Sequence, residues 1–219
     1  MRITGAVFDL DGTLLDSNSY WDRAPDEYLK TLGKRAAPDL ARRIFTMTLP
    51  EAADCMTREY GLTQTAEEIG EGVNAAMERF YRTEIPLKEG VREALDWLGE
   101  AGVPVAIASV TDRPLVECAM RRFGLLDRFS AIVTIADVGA GKNEPDVYLE
   151  AARRLGSMPG ETLVVEDALH ALETAKRAGF ITVGVYDDTS RDKQEAIRNI
   201  SDYYLNSLKE IDFVLGDRK

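Results

Sequence analysis

The chain has 219 residues, 45% of them hydrophobic and 30% charged, enough for one sizeable core, or a core with a small satellite domain. Its formal charge of −11, from 27 basic and 38 acidic residues, argues against nucleic acid as a ligand, because that affinity rests on Lys and Arg neutralising phosphates. A small anionic substrate stays open, since distant surface charge is screened beyond about 8 Å and local groups decide. No apolar run of about 18 residues predicts a transmembrane helix. The first apolar run ends at Asp9 without the cleavage pattern of a signal peptide. Cys55 and Cys118 lie far apart without metal-ligand spacing and are expected as free packing thiols. The expectation is a cytoplasmic protein with no membrane partner.

The run from Ile3 to Phe8 predicts a buried parallel strand. It leads directly into Asp9-Leu10-Asp11-Gly12-Thr13, with Gly12 marking a bend or a close approach. Two carboxylates therefore stand at the carboxyl end of a strand, where open α/β sheets bind ligands. One suits a nucleophile that forms an acyl-phosphate, the other a proton donor to the leaving oxygen and a later acceptor from water. A nearby Mg²⁺ would favour the ionised form of the first and neutralise an incoming phosphate. The plainer alternative is a strand ending in an acidic Asp-Gly turn.

From Ser17 to about Pro86 the pattern is helical. Asp22–Leu32, Pro38–Met47, Pro50–Tyr60 and a helix opened by the capping box Thr65-Ala66-Glu67-Glu68 predict a small bundle. Beyond Leu87 strand and helix alternate. Strands are expected at Val103–Ala108, Ala131–Ile135, Thr162–Val165 and Ile181–Tyr186, with a short edge strand at Tyr203–Leu205. Strands separated by helices mean right-handed βαβ units and a parallel sheet. The expected organisation is an α/β core of residues 1–16 and 87–219, with residues 17–86 as a helical insertion. An insertion beside the two aspartates suits a lid that excludes water from a reactive acyl-phosphate; a decorative insertion is the alternative.

Three further constellations fall at strand ends. Ser109 follows the second strand, and its hydroxyl, with the N–H groups of Val110 and Thr111, could bind phosphate oxygens or simply cap the next helix. Lys142 lies in Gly139-Ala140-Gly141-Lys142-Asn143-Glu144-Pro145, where a lysine is ordinarily solvated. Glu166 and Asp167 end the strand Thr162–Val165; they could complement a helix dipole or, with the first pair, make an oxygen-rich cation site. His170, the only histidine, falls inside the following helix as an expected surface or packed residue, which argues against a His-based triad.

Asp9-Leu10-Asp11-Gly12-Thr13, Ser109, Lys142 with Pro145 three residues on, and Glu166-Asp167 resemble, in order, motifs I to IV of the haloacid dehalogenase (HAD) superfamily of aspartate-nucleophile phosphohydrolases. The resemblance is to the helical-cap subfamily that contains β-phosphoglucomutase-like and phosphoglycolate-phosphatase-like proteins. It implies a Rossmann-like, doubly wound parallel sheet of order 5-4-1-2-3, with the motifs converging on one edge. It further implies Asp9 as nucleophile, Asp11 as acid and base, and Lys142 and Ser109 on the phosphoryl oxygens. Mg²⁺ would be held by a carboxylate oxygen of Asp9, the backbone carbonyl of Asp11 and Asp167, with Glu166 bound directly or through water. The chain departs from the family where Asn143 and Glu144 stand for Pro and a small residue, and where Ala168 stands for Ser.

The substrate expected is a small phosphorylated metabolite. Leaving-group contacts are expected from the hinge, at Tyr20 and Trp21, and from the insertion loop, at Thr46 and Thr48; the aromatics could equally pack the hinge. A sugar-phosphate mutase is the second reading, weakened because the hinge and the insertion loop lack the His and Arg by which such mutases resemble one another. A dehalogenase would need neither Asp11 nor the Glu166–Asp167 pair, and a phosphate-binding module without turnover would not need the complete set.

Overall fold

The computed structural model describes residues 2–44 and 47–216. In chain order, β1 (Gly5–Phe8) is followed by helices α1 (Asn18–Thr31), α2 (Leu40–Ile44), α3 (Leu49–Tyr60) and α4 (Ala66–Thr83). Then come α5 (Val91–Glu100), β2 (Val105–Ser109), α6 (Arg113–Arg122), β3 (Ala131–Thr134) and α7 (Ile135–Val138). The chain closes with α8 (Asp146–Leu155), β4 (Thr162–Glu166), α9 (Leu169–Arg177), β5 (Ile181–Val185), α10 (Gln194–Ile200), β6 (Tyr203–Leu205) and α11 (Ile211–Gly216). Two compact units result: Met1–Asp16 with Pro86–Lys219, and Ser17–Ile85.

The first unit is a six-stranded sheet of order β3-β2-β1-β4-β5-β6, parallel throughout. It is the expected order with the short strand β6 added beside β5. Side chains alternate across a strand. Val7, Ala106, Ala108, Val133 and Val164 pack with Val147, Tyr148 and Ala151 of α8 and Ala171 and Ala175 of α9. Residues of the opposite parity, among them Ala6, Phe8, Ile107 and Val165, are equally buried, so both faces are covered, as an all-parallel sheet requires. Register decides what meets at the carboxyl edge: Phe8 lies opposite Ile107 and Val165. Asp9 and Glu166 follow directly and Ser109 comes one residue later, after Ala108, so all three stand at the ends of neighbouring strands.

The second unit holds α1 to α4, with Tyr28, Leu29, Leu40, Ala53, Met56, Leu62 and Ile69 as a shared core. Gly72 on α4 is there because of Tyr28: a Cβ at position 72 would stand 2.1 Å from Tyr28 Cε2 and 2.3 Å from Cδ2. Gly72→Ala is expected to lower stability by about 2 kcal/mol through overpacking, read as an earlier urea midpoint for this unit. An unchanged midpoint would show that the ring moves aside freely.

Several boundaries differ from expectation. Helix α1 begins at Asn18, four residues before Asp22, and carries Pro25 inside it. Pro25 is buried, and that packing offsets the backbone hydrogen bond it cannot make. Of the helix expected over Pro38–Met47, Leu40–Ile44 is helical, and positions 45 and 46 lie outside the described residues. The end of the expected strand Ala131–Ile135 turns instead into α7, where Asp137 accepts the Thr134 N–H at 2.7 Å. Helix α11 was not expected. Among the described residues no helix is long and apolar enough to cross a membrane.

Candidate active site

The turn after β1 is tight. The Gly12 N–H donates to the Leu15 carbonyl at 2.8 Å, and Gly12 adopts a positive φ of 84°, a conformation that penalises any Cβ. This turn leaves Asp9 and Asp11 at the sheet edge. The Asp9 N–H donates to the Val165 carbonyl at 3.0 Å, which fixes Asp9 against the end of β4. Thr13, buried in the same turn, donates from Oγ1 to Asp167 Oδ1 at 3.3 Å.

Lys142 arrives from the loop after α7. Gly139 ends that helix with a positive φ of 76°. The loop is tied down beyond the lysine, where the Asn143 carbonyl accepts from Thr174 Oγ1 at 3.3 Å. Asn143 therefore anchors the loop to α9 through its backbone, which any residue at this position supplies. The lysine is buried rather than solvated, at 7% exposure. Its ammonium donates to Asp9 Oδ1 and, at 2.5 Å, to Glu166 Oε1. Tyr148 on α8, wholly buried, donates its hydroxyl to the same Glu166 Oε1 at 2.7 Å.

Asp9, Glu166 and Asp167 are all buried, and carboxylate oxygens of the three lie within 4.8 Å of one another. Three acids against one ammonium set the electrostatics. Burial, reinforced by Glu166, pushes the Asp9 carboxyl well above the usual carboxylate range despite Lys142. Burial alone would lower Lys142, but Asp9 and Glu166 overcome it and hold the ammonium above its ordinary value. Burial and the adjacent Glu166 likewise raise the Tyr148 phenol. Glu166 Oε2 is buried without a hydrogen-bond partner, a costly state for a carboxylate oxygen. An excess of buried negative charge, all on oxygen, with one acceptor unsatisfied is the donor set a hard divalent cation requires, so these residues fit a metal ion.

Ser109 is fully buried at the end of β2, and its Oγ accepts the Thr111 N–H at 3.0 Å. That contact removes the Thr111 amide from the groups expected to face phosphate and leaves the Ser109 O–H to donate. Val110 between them is half exposed. Asp11, partly exposed, accepts from Thr111 Oγ1 at 2.6 Å.

A family model described as haloacid dehalogenase-like hydrolase matches residues 3–179. The chain belongs to this family. Hexitol phosphatase B of Escherichia coli K12 is 29% identical over 216 residues, covering 96% of this chain and 95% of the relative. Hexitol phosphatase A of the same strain is 33% identical over 225 residues, covering 96% and 94%. The crystal structure of CbbY from Rhodobacter sphaeroides in complex with phosphate superposes with a TM-score of 0.80 at 26% identity, covering 96% of each chain.

As a haloacid dehalogenase-like hydrolase the chain brings Asp9, Lys142, Glu166 and Asp167 into one buried cluster, with Asp11 and Ser109 joined to each other through Thr111. Tyr20, Trp21 and Thr48 belong to the other unit. There the Tyr20 ring meets Phe80 edge-on at 5.2 Å, Trp21 is partly buried, and Thr48 donates from N and Oγ1 to Glu51 Oε2 at 2.8 Å each. Thr46 lies outside the described residues. His170 is exposed on α9. Ala168 caps that helix with no side-chain hydrogen bond, as loss of a Ser hydroxyl requires. The side chains of Thr111 and Tyr148 escaped the sequence reading. Tyr148 falls inside a helix with nothing local to single it out, and Thr111 entered as a donor through its backbone alone.

Proposed function

We propose that this haloacid dehalogenase-like phosphatase hydrolyses monoesters of small phosphorylated metabolites, sugar and sugar-alcohol phosphates foremost, through a phospho-aspartate on Asp9. The observation that carries the reading is the buried set of Asp9, Glu166 and Asp167, with Lys142 bridging Asp9 and Glu166. The hexitol phosphatases among the relatives, similar along nearly their whole length, support the substrate class.

In the first step an oxygen of Asp9 attacks phosphorus while the bond from phosphorus to the leaving alcohol breaks, and Asp11 gives its proton to that departing oxygen. In the second, a water oxygen attacks the same phosphorus and its proton passes to the now ionised Asp11. The bond to Asp9 breaks and inorganic phosphate leaves. Lys142 and the Ser109 hydroxyl, with the Val110 N–H, offset charge on the phosphoryl oxygens, whose negative charge dominates this transition state. Mg²⁺ is the cation proposed for the acidic cluster, held by Asp9, the Asp11 backbone carbonyl and Asp167, with Glu166 direct or through water; when bound it supplies charge that favours ionised Asp9 and neutralises the phosphate. The insertion, residues 17–86, is proposed as the cap, with Tyr20, Trp21, Thr46 and Thr48 as specificity candidates.

The test is phosphate release from hexitol phosphates, aldose phosphates, phosphoglycolate and nucleotides, each with Mg²⁺ and with chelator. Sugar or sugar-alcohol phosphates should turn over fastest, and chelation should abolish activity until Mg²⁺ is restored. Chelator-insensitive turnover, or none on any ester, would refute the reading. Net isomerisation of β-glucose 1-phosphate would point to a mutase.

A pH dependence follows from the charge balance. Because the Asp9 carboxyl is held high by burial and Glu166, cation binding must displace its proton, so affinity rises with pH and protons are released. Titration calorimetry in buffers of differing ionisation enthalpy at about pH 5.5 and about pH 7.5 should show tighter binding at the higher value and proton release at the lower. Binding that is equally tight at both, with no proton released, would contradict this.

A further inference from the structure

The Thr111 side chain stands between two strand ends that the sequence separates by a hundred residues. Its backbone N–H donates to Ser109 Oγ at 3.0 Å, and its hydroxyl donates to Asp11 Oδ2 at 2.6 Å. Thr111 itself is 5% exposed, so water does not compete freely for the hydroxyl. Asp11 opens the turn that Gly12 shapes, in an isolated bridge with Leu15 rather than within a strand, and its carboxylate is partly open to solvent. Sheet packing therefore does not by itself select one orientation of that carboxylate. A short hydrogen bond from a buried, β-branched side chain does, because threonine has few χ1 states and its amide is already tied to Ser109.

The hydroxyl also matches the proton traffic. A hydroxyl both donates and accepts. It can donate to Asp11 when the acid is ionised and accept from it when the acid is protonated, so the contact survives both halves of the cycle. A lysine or an amide N–H in the same place would favour only the ionised form.

We propose that Thr111 is a positioning residue, acting through Asp11: it holds the carboxyl where the leaving-group oxygen receives its proton. This rests on the reading of Asp11 as acid and base. Loss of the hydroxyl leaves Asp11 chemically intact but misaligned, and misalignment costs rate only where the leaving oxygen needs a proton.

That difference supplies the test. In Thr111→Val, kcat/KM, which reports only steps up to formation of the phospho-aspartate, is measured for an alkyl ester, sorbitol 6-phosphate, and for p-nitrophenyl phosphate, whose phenolate leaves unaided. The alkyl ester should lose about 10- to 100-fold and the aryl ester about threefold or less, and Thr111→Ser should restore the alkyl rate. Activity on the aryl ester reports that the variant is folded, and Thr111→Ala examines the same bond if valine is not accommodated. Equal losses on both esters, or failure of serine to rescue, would overturn the inference. Asp11→Asn run alongside separates the two levels. If Asp11→Asn is selective for the alkyl ester and Thr111→Val is not, the Thr111 assignment falls alone. If Asp11→Asn shows no selectivity, the acid–base reading of Asp11 falls and takes the Thr111 role with it.

Discussion

Asp9→Asn should leave a folded protein whose turnover of its best phosphomonoester is lower by about four orders of magnitude or more, the scale of losing a covalent nucleophile. The carboxamide is nearly isosteric, and its oxygen can still accept from Lys142. What it lacks is the anionic carboxylate oxygen that attacks phosphorus. Folding should not suffer. In the protein without cation, burial and the neighbouring Glu166 already raise the Asp9 carboxyl, so ionising it opposes the fold and a neutral side chain relieves that. Below the ordinary carboxylate range wild type and variant should be equally stable. As pH rises, the wild type without cation should lose stability that the variant keeps. Thermal unfolding without divalent ions, set beside steady-state phosphate release, checks both halves. Residual activity within tenfold of wild type would remove Asp9 from the nucleophile's role.

Lys142→Met is expected to reduce both activity and stability. The ammonium is buried and donates to Asp9 and Glu166 at once. Without it these acids, with Asp167, form a buried cluster of like charge. Removing one member of a buried ion pair typically costs about 3 to 5 kcal/mol, and removing a cation from the phosphoryl site about 100- to 1,000-fold in kcat. The sign of the pH effect is a sharper check than its size. Loss of the ammonium pushes the Asp9 carboxyl further up, so the variant folds best where that carboxyl is protonated and loses stability as pH rises through its raised value. In the wild type the lysine, itself held above its ordinary value, remains charged across that range. The stability gap should therefore be wider at about pH 8 than at about pH 5. A gap that is constant or narrows with pH would show that Lys142 does not neutralise these acids.

Much of this arrangement was legible because the chemistry sits at strand ends. An apolar run that stops at an acid or a hydroxyl marks its own edge, the alternation of strand and helix implies a parallel sheet, and the family resemblance implies which strand ends are neighbours. Asp9, Ser109, Glu166 and Asp167 could be located on that basis. Lys142 is different. Nothing local distinguishes it from a surface lysine in a Gly-rich loop, and only its order among the other motifs set it apart. The missed features are those that depend on tertiary neighbours. Tyr148 lies on the buried face of α8, and its hydroxyl gains meaning only where β4 delivers Glu166. Thr111 follows a strand whose neighbour carries Asp11. Helix α1 runs through Pro25 because the surrounding core buries that residue, whereas local propensity alone favours a later start. A piece as short as α7 carries too little periodicity to be told from a turn.

The covalent step can be observed directly. Enzyme mixed with a single equivalent of hexitol phosphate and Mg²⁺, quenched in acid within the first turnover and reduced with borohydride, converts an aspartyl phosphate to homoserine. Peptide mass spectrometry should find that conversion at position 9, only after substrate is added, and never in Asp9→Asn. Turnover without any reduced residue, or with the conversion at another acid, would contradict nucleophilic attack by Asp9.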